Sequence, residues 1–256
     1  LMSKKNKIVF NKKFKYCFFT RNGGVSKKNF STLNCAYNKG DEDKNVKKNR
    51  EYVHKKFSIK KKIILMNQIH SNKVIFIDKP NDQTLNGDGI ISNRKDLILG
   101  VLTADCAPIV ILGKRYFGII HAGWKGTFSG IIENALNFFL KKGECKEDIF
   151  VDVGPHLRKE SFEVKNDFLI NLKKLEVDSD KYISSIRRNL YFNFSLLITD
   201  KIINCGIRDF KISEIDTYKN FKDFYSFRYY FKKGIKNCGR QISLVSIKDN
   251  NEIGFR

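Results

Sequence analysis

The sequence lacks the features that mark several large classes of protein. No apolar run approaches the roughly 18 residues that a membrane-spanning helix needs, so we expect no membrane partner. The six cysteines are scattered and form no C-x-x-C pair, which argues against a disulfide framework and favours a reducing, cytoplasmic location. The lysine-rich N-terminal region shows no apolar segment of the kind found in secretory signals.

Acidic residues are scarce beside basic ones. There are 27 of the former and 49 of the latter, which gives a formal net charge of +22. Such a charge is compatible with nucleic-acid binding. However, the basic residues are spread along the whole chain, and the sequence has no RGG run, zinc-finger spacing or aromatic–basic RNP pattern. We therefore expect no specific nucleic-acid partner.

The chain is rich enough in apolar residues to form a sizeable core, since 41% of its 256 residues are hydrophobic and 13% are aromatic. Short strand-like runs occur in clusters between amphipathic helical patterns, rather than in strict strand–helix alternation. This arrangement predicts an α+β fold in which one domain, residues 1–256, contains mixed β-sheets with flanking helices. We expect a monomer or a weak homodimer.

Two helical patterns are clear. The first begins at Asp41 or Asp43 and runs to about Phe57, with its apolar residues on one face. The second begins at Thr127 or Ser129 and ends near a lysine pair that is followed by glycine. Its predicted buried face consists of Ile131, Ile132, Ala135, Leu136 and Phe139.

The most informative stretch is residues 97–127, which contains Cys106, His121 and the single tryptophan. Two apolar runs flank Gly113-Lys114, a dipeptide that suits a two-residue type II′ hairpin loop. Counting back along both strands from that loop pairs Cys106 with His121. Directly opposed residues share a face, with Cβ atoms about 5 Å apart. The turn therefore predicts a thiol beside an imidazole.

His70 is a third candidate, because it follows an apolar strand in a polar loop. Three nitrogen and sulfur ligands with an open fourth position are typical of catalytic zinc, which lowers the pKa of bound water to about 7. The same residues also suit a dyad with Cys106 as nucleophile and His121 as base, or a copper site. An oxygen-reducing copper cluster needs further histidines, and the chain has only four in all.

Several motifs resemble those of a known family. They are T-R-N-G-G-V-S (20–26), N-Q-I-H-S (67–71), L-T-A-D-C-A-P-I (102–109), H-A-G-W-K-G-T (121–127), V-G-P-H (153–156), F-Y-S-F-R (224–228) and G-R-Q-I-S-L (239–244). In this order they are similar to the laccase-domain, or polyphenol oxidase, family. Its members are also described as purine nucleoside phosphorylases and as peptidoglycan editing factors.

The resemblance implies an α+β fold distantly like that of cytotoxic necrotizing factor-type cysteine hydrolases. It implies zinc, or copper, on His70, Cys106 and His121. It also implies phosphorolysis of adenosine, inosine, guanosine and methylthioadenosine, and hydrolytic deamination of adenosine. A Cys–His hydrolase that edits peptidoglycan precursors and a copper-dependent polyphenol oxidase stay open as alternatives. Many members have Cys-Thr where this chain has Asp216-Thr217.

Phosphorolysis requires a site for phosphate and a pocket for a flat base. Planar guanidinium groups bind phosphate in a bidentate manner, and the candidates are Arg21, Arg228 and Arg240. Candidates for stacking on the base are Trp124, Phe227 and Tyr229.

Two carboxylates are candidates for roles beside the substrate. Glu163 is expected to bind substrate. Asp105 and Glu163 are also the acids available to move a proton during deamination. The alternative role of Asp105 is to orient His70 or His121 by a hydrogen bond.

Overall fold

The computed structural model describes residues 6–79, 85–175 and 179–249. The strands are β1 Val9–Asn11, β2 Phe14–Phe18, β3 Lys62–Leu65, β4 Val74–Ile77, β5 Gly89–Ser92, β6 Leu97–Thr103, β7 Ala107–Leu112, β8 Phe117–Ala122, β9 Phe150–Val153, β10 Glu163–Val164, β11 Ile183–Ile186, β12 Asn189–Phe192, β13 Phe210–Ile212 and β14 Gln241–Ile247. The helices are α1 Asp43–Phe57, α2 Trp124–Phe128, α3 Ile131–Lys141, α4 Asn166–Lys173, α5 Phe194–Asn204 and α6 Phe227–Lys232. Among the helices of these ranges, none has both the length and the apolar character needed to cross a bilayer.

The described strands form three sheets. A five-stranded sheet has the order β1-β2-β14-β6-β3, a six-stranded sheet has the order β13-β9-β7-β8-β5-β4, and a small sheet has the order β10-β12-β11. Both large sheets are mixed, because β3–β6, β4–β5 and β9–β13 are parallel whereas the other pairs are antiparallel. The predicted combination of mixed sheets and flanking helices is confirmed. The likeness to necrotizing-factor hydrolases and the extent of a single domain over residues 1–256 stay predictions.

The two large sheets pack face to face, and helices cover their outer sides. Successive side chains of a strand point to opposite faces. Leu99 and Ile90 accordingly lie in the cluster between the sheets, whereas Ile98 packs with α1 residues and Ile91 packs with residues of α3 and α5. The layers therefore follow the order α1, five-stranded sheet, six-stranded sheet, and α3 with α5.

The helical predictions are confirmed, with one correction. The first helix lies within its predicted bounds. The second is preceded by the short helix α2. The helical conformation is interrupted between α2 and α3 at Gly130, whose φ of +96° is in the left-handed region that favours glycine. The helix proper thus begins after the predicted Thr127 or Ser129, and all five residues of its predicted face are buried.

The hairpin of β7 and β8 has a register that differs from the prediction by two residues. Leu112 pairs with Phe117, and His121 pairs with Pro108 rather than with Cys106. A shift of two residues leaves every side chain on the same face, because the side-chain period of a strand is two. Cys106 therefore stays on the face of His121, one diagonal step from it.

Residues 113–116 join the two strands, and the register differs because the turn is centred on Lys114-Arg115, one residue later than predicted. The N–H of Gly113 donates to the carbonyl of Tyr116 across this turn at 2.9 Å. The carboxylate of Glu144, which is only 6% exposed, accepts the backbone N–H groups of Lys114, Arg115 and Tyr116. Turn chemistry within the loop could not indicate this contact, because the carboxylate belongs to a later segment of the chain.

Candidate active site

Three separate segments meet at one end of the six-stranded sheet. His70 lies in the loop between β3 and β4, Cys106 lies between β6 and β7, and His121 is in β8. Cys106 Sγ is 3.9 Å from His70 Nε2, and the two imidazole rings are 4.8 Å apart in an edge-to-face arrangement. The potential ligand atoms of all three residues lie within 4.8 Å of one another. The structure thus brings together the three residues that the sequence singled out.

These residues fit a metal ion. In a tetrahedral zinc site, a thiolate sulfur and an imidazole nitrogen that bind the same ion lie about 3.6 Å apart. The observed distance of 3.9 Å between Cys106 Sγ and His70 Nε2 differs from that value by a few tenths of an ångström. His121 uses its Nδ1 to bond Asp88, so its Nε2 is the nitrogen on the side of Cys106 that would bind a metal ion. A donor set of two nitrogens and one sulfur suits zinc or copper.

Sequence reasoning missed Asp88, which makes hydrogen bonds to two members of the cluster. It is fully buried, and its Oδ1 accepts the Nδ1–H of His121 at 2.8 Å and the backbone N–H of His70 at 3.0 Å. Its Oδ2 accepts the backbone N–H groups of Ile69 and Ser71 and the hydroxyl of Ser71. The motif Asn-Gly-Asp-Gly reads as an ordinary turn. The available signal was a charged residue next to a buried apolar strand, where an unpaired charge is costly.

Asp88, and not Asp105, makes hydrogen bonds to His121 and to the backbone of His70. The two oxygens of Asp105 instead accept the hydroxyl of Thr217 at 2.5 Å and the backbone N–H of Arg228 at 2.8 Å. Burial raises the pKa of Asp105, although these hydrogen bonds oppose the effect of burial. Asp105 lines the cavity beside Cys106.

The charges of the cluster stabilise one another. Burial raises the pKa of Cys106, but His121 and His70 outweigh burial and lower the pKa of the thiol to about 6. Burial lowers the pKa of His121, but Cys106 and Asp88 outweigh it and raise this pKa to about 9. Burial also raises the pKa of Asp88, yet its hydrogen bonds with His121 and Ser71 hold it well below its usual range. In the metal-free protein these shifts favour a chain of thiolate, imidazolium and carboxylate near neutral pH.

Two glycines of the H-A-G-W-K-G-T motif allow the loop of His70 to pack closely. A Cβ atom on Gly123 would lie 3.1 Å from His70 Cδ2 and 3.2 Å from Cys106 Sγ. A Cβ atom on Gly126 would lie 2.6 Å from the carbonyl oxygen of Ser71. The lack of a side chain at these two glycines therefore lets the backbone of their segment pack directly against His70, Ser71 and Cys106.

A cavity of about 860 Å³ opens beside Cys106 and His70. Its size is that of a pocket for a small organic ligand. Aromatic side chains form much of the wall, namely Trp124, Phe162, Phe168, Phe194, Phe227 and Phe231. Charged side chains also line it, namely Asp105, Glu163, Lys165, Asp167, Arg228, Lys232 and Arg240.

Three of the predicted substrate-binding residues face this cavity. The Nη1 of Arg228 donates to the carbonyl of Glu163, and the Nη1 of Arg240 donates to the carbonyls of the two residues before it. The carboxylate of Glu163 pairs with Lys232 at 3.2 Å. Each guanidinium is thus fixed to backbone at one nitrogen, and both arginines line the cavity.

The structure does not bring Arg21 to the cavity, which corrects its prediction as a phosphate ligand. Its side chain is buried, and all three of its guanidinium nitrogens donate to protein oxygens of Ser31, Phe221 and Tyr230. Hydrogen bonds of this kind make Arg21 a cross-link between segments. The candidate base-stacking residue Tyr229 stacks on Phe221 at 3.9 Å, whereas Trp124 and Phe227 line the cavity.

Asp216 also has a local role. Its carboxylate accepts the hydroxyl of Ser161 at 2.5 Å and the backbone N–H of Tyr218 at 2.9 Å. The next residue, Thr217, donates its hydroxyl to Asp105. Asp216 therefore holds the turn from which Thr217 contacts the cavity wall.

Comparison with known proteins agrees with the motifs. The profile of the multi-copper polyphenol oxidoreductase laccase family matches residues 15–248. The chain belongs to this family. A purine nucleoside phosphorylase of Rickettsia conorii is 30% identical over 209 residues, which cover 78% of this chain and 86% of that protein. The purine nucleoside phosphorylase YlmD of Bacillus subtilis is 28% identical over 249 residues, which cover 91% of this chain and 88% of that protein.

Solved structures share the fold. A Neisseria meningitidis protein superposes with a TM-score of 0.83 at 22% identity, covering 96% of this chain and all of that one. YlmD of Geobacillus stearothermophilus superposes with a TM-score of 0.81 at 21% identity, covering 93% of each chain. At these identities the likeness establishes the architecture.

Proposed function

We propose that this chain is a metal-dependent purine nucleoside phosphorylase that acts on adenosine, inosine, guanosine and methylthioadenosine, and that it also deaminates adenosine. The observation that supports this proposal most strongly is the convergence of His70, Cys106 and His121 beside an aromatic cavity that two arginines line. The relatives given above are named purine nucleoside phosphorylases, which supports the phosphorylase part of the proposal.

The three residues would hold zinc, with copper as the alternative. Zinc, when bound, supplies Lewis-acid chemistry and the means to activate water for deamination at neutral pH. Cys106 and His70 line the cavity, so a metal ion held by the three residues would lie beside the bound substrate.

The other residues would position the reactants. Arg228 and Arg240 would bind phosphate, whose oxygen attacks the anomeric carbon while the bond from that carbon to the base breaks. Asp105, which lines the cavity beside Cys106, would move a proton to the departing base. Trp124 would stack on the base. The carboxylate of Glu163 would accept hydrogen bonds from sugar hydroxyls.

The direct experiment measures phosphate-dependent release of hypoxanthine from inosine. We expect turnover in the unsubstituted protein and a loss of at least about 100-fold in His121→Ala. Even substitution of a residue that only hydrogen-bonds a metal ligand costs about 10- to 100-fold. His54→Ala is the matched control, since His54 lies in α1 and bonds the carbonyl of Lys61. Equal rates in the unsubstituted protein and His121→Ala would contradict the proposal.

A second candidate function, hydrolysis by a thiol nucleophile, is favoured by one observation. Cys106, His121 and Asp88 stand in the order of a nucleophile, a base and an orienting carboxylate. Such a hydrolase, acting for example on peptidoglycan precursors, would keep its activity after chelation and lose it to iodoacetamide. A metal enzyme would lose activity on chelation and regain it when zinc is restored.

Copper-dependent polyphenol oxidation fits less well. His54 bonds the carbonyl of Lys61, and His156 is buried between the carbonyl of Gly154 and the hydroxyl of Ser195. Burial lowers the pKa of His156 to about 4, which keeps it neutral. The two remaining histidines therefore have other partners, and neither joins the cluster at Cys106 that would start a multicopper centre.

A further inference from the structure

We infer that Asp88 is the positioning residue of the site and that it sets the geometry of both histidine ligands at once. This inference rests on the metal site proposed above but not on the nucleoside substrate. Asp88 does not reach the cavity. It acts through His121 by a side-chain hydrogen bond and through His70 by backbone hydrogen bonds.

The first contact is with the ring of His121. Asp88 is an acceptor only when ionised, so the hydrogen on Nδ1 of His121 must point at it. The ring then presents Nε2 without a hydrogen to a metal ion. A carboxylate behind a histidine ligand fixes both the tautomer and the orientation of the ring.

The second contact is with the loop of His70. The φ of His70 is +59°, a left-handed conformation that is uncommon for residues other than glycine. Three successive backbone N–H groups, those of Ile69, His70 and Ser71, point at the one carboxylate of Asp88. These hydrogen bonds hold the loop in a turn that the residue types alone would not favour.

The other side of the loop is fixed independently. The side chain of Gln68 donates to the carbonyl of Leu102 and accepts its N–H, both at 2.8 Å. Gln68 therefore attaches the loop to strand β6, whereas Asp88 determines the conformation of the following residues. Loss of Asp88 should disturb the position of His70 without detaching the whole loop.

Substitution of Asp88 by asparagine separates these roles. The amide nitrogen of asparagine cannot accept a hydrogen bond. If it occupies the Oδ2 position, it meets the fixed N–H groups of Ile69 and Ser71. If it occupies the Oδ1 position, it meets the N–H of His70 and the ring of His121, and only the ring can adapt by moving its hydrogen to Nε2. The first placement disturbs the loop of His70, and the second blocks Nε2 of His121 as a ligand.

Glu144 offers a matched control. It is also a buried carboxylate, and it also accepts three backbone N–H groups of one loop. That loop, 113–116, is at the opposite end of the same hairpin. Glu144→Gln should therefore reproduce any loss of stability that comes from a disturbed loop, without a contact to either histidine.

The experiment measures zinc affinity by competition with a chromophoric chelator, together with the melting temperature of each variant. We expect Asp88→Asn to weaken zinc binding by about 10- to 100-fold, and Glu144→Gln to leave it within about twofold of the unsubstituted protein. Equal zinc affinity in Asp88→Asn and the unsubstituted protein would overturn the inference about Asp88 and leave the proposed metal site intact. Absence of zinc binding in the unsubstituted protein would overturn both.

A measurement on the unsubstituted protein covers the case in which Asp88→Asn does not fold. Histidine ¹⁵N spectra of the zinc-loaded protein report which nitrogen of each ring bears the hydrogen. We expect the hydrogen of His121 on Nδ1 and the metal on Nε2. A metal on Nδ1 of His121 would overturn the inference, since Asp88 would then have no hydrogen to accept from the ring.

Discussion

The two ends of the β7–β8 hairpin share one structural arrangement, but only one end carries the candidate active site. At each end a buried carboxylate from another segment accepts three backbone N–H groups of one loop. Glu144 does so for loop 113–116, and Asp88 does so for residues 69–71. Only Asp88 also bonds an imidazole. A buried carboxylate that fixes a loop is therefore a structural feature in itself. Chemistry becomes possible only where the fixed loop also places reactive side chains next to one another.

The largest expected difference between the two ends concerns catalysis. Cys106→Ser removes the only sulfur of the cluster, and we expect phosphorolysis to fall by about 100-fold or more because the ligand itself is changed. Lys114→Ser, at the other end, should leave the rate unchanged because Lys114 contacts the site nowhere and pairs with Asp148. Initial rates with inosine and phosphate decide this. A rate in Cys106→Ser close to that of the unsubstituted protein would show that the Cys106 end of the hairpin does not take part in catalysis.

The arginines offer the same distinction between a group that faces the cavity and a group that holds backbone. Arg240→Met should raise KM for phosphate by about 10- to 100-fold, because a hydrogen bond to a charged group is worth about 1.5–3 kcal/mol. Arg21→Met should instead lower the melting temperature, since it leaves three protein oxygens without their donor. Steady-state kinetics and thermal unfolding of both variants test this. A raised KM for phosphate in Arg21→Met, with an unchanged KM in Arg240→Met, would show that Arg21 and not Arg240 binds phosphate.

A pair of glycines makes a finer comparison. Gly126→Ala would press its Cβ on the carbonyl oxygen of Ser71, and Gly113→Ala would press its Cβ on the carboxyl carbon of Glu144, at 2.8 Å. Each substitution should destabilise the fold by about 1–3 kcal/mol, the usual cost of overpacking. Only Gly126→Ala should also weaken zinc binding, because Ser71 follows His70. Equal zinc affinities in the two variants would show that the loop of His70 tolerates displacement.

The mildest difference that we expect concerns the pH at which Cys106 reacts with iodoacetamide. In the metal-free protein the neighbouring histidines lower the pKa of Cys106 to about 6, so its reactive thiolate should persist well below the ordinary range of a thiol. Alkylation of Cys106 by iodoacetamide should therefore slow as the pH falls through about 6. Cys106→Ser gives the background from the other cysteines. A midpoint near the ordinary pKa of a thiol would show that His121 does not pair with Cys106.

Local patterns in the sequence were sufficient for some features of the site. Side chains alternate between the two faces of a strand, so the sequence could predict that Cys106 and His121 share one face of the hairpin. This prediction held even though the predicted register was wrong by two residues. The apolar period of α3 similarly identified its buried face. Both signals depend on residues that are close in sequence, and both survive small errors in where a turn begins.

Other features depend on partners that are distant in the chain. Asp88 bonds residues on both sides of it in sequence, and nothing within its own turn indicates those donors. Arg21 looked like an anion ligand beside two glycines, but its acceptors include Phe221 and Tyr230, which only the fold brings near. Charged groups that are buried by tertiary contacts are thus the residues for which the sequence was least informative.

We claim that one metal ion binds where the segments of His70, Cys106 and His121 meet. Titration of the metal-free protein with cobalt(II) examines this binding, because a cobalt–thiolate bond has its own absorption band. We predict one equivalent bound per chain, with that band present in the unsubstituted protein and absent in Cys106→Ser. Cobalt binding that is not stoichiometric, or a spectrum that Cys106→Ser leaves unchanged, would contradict the claim.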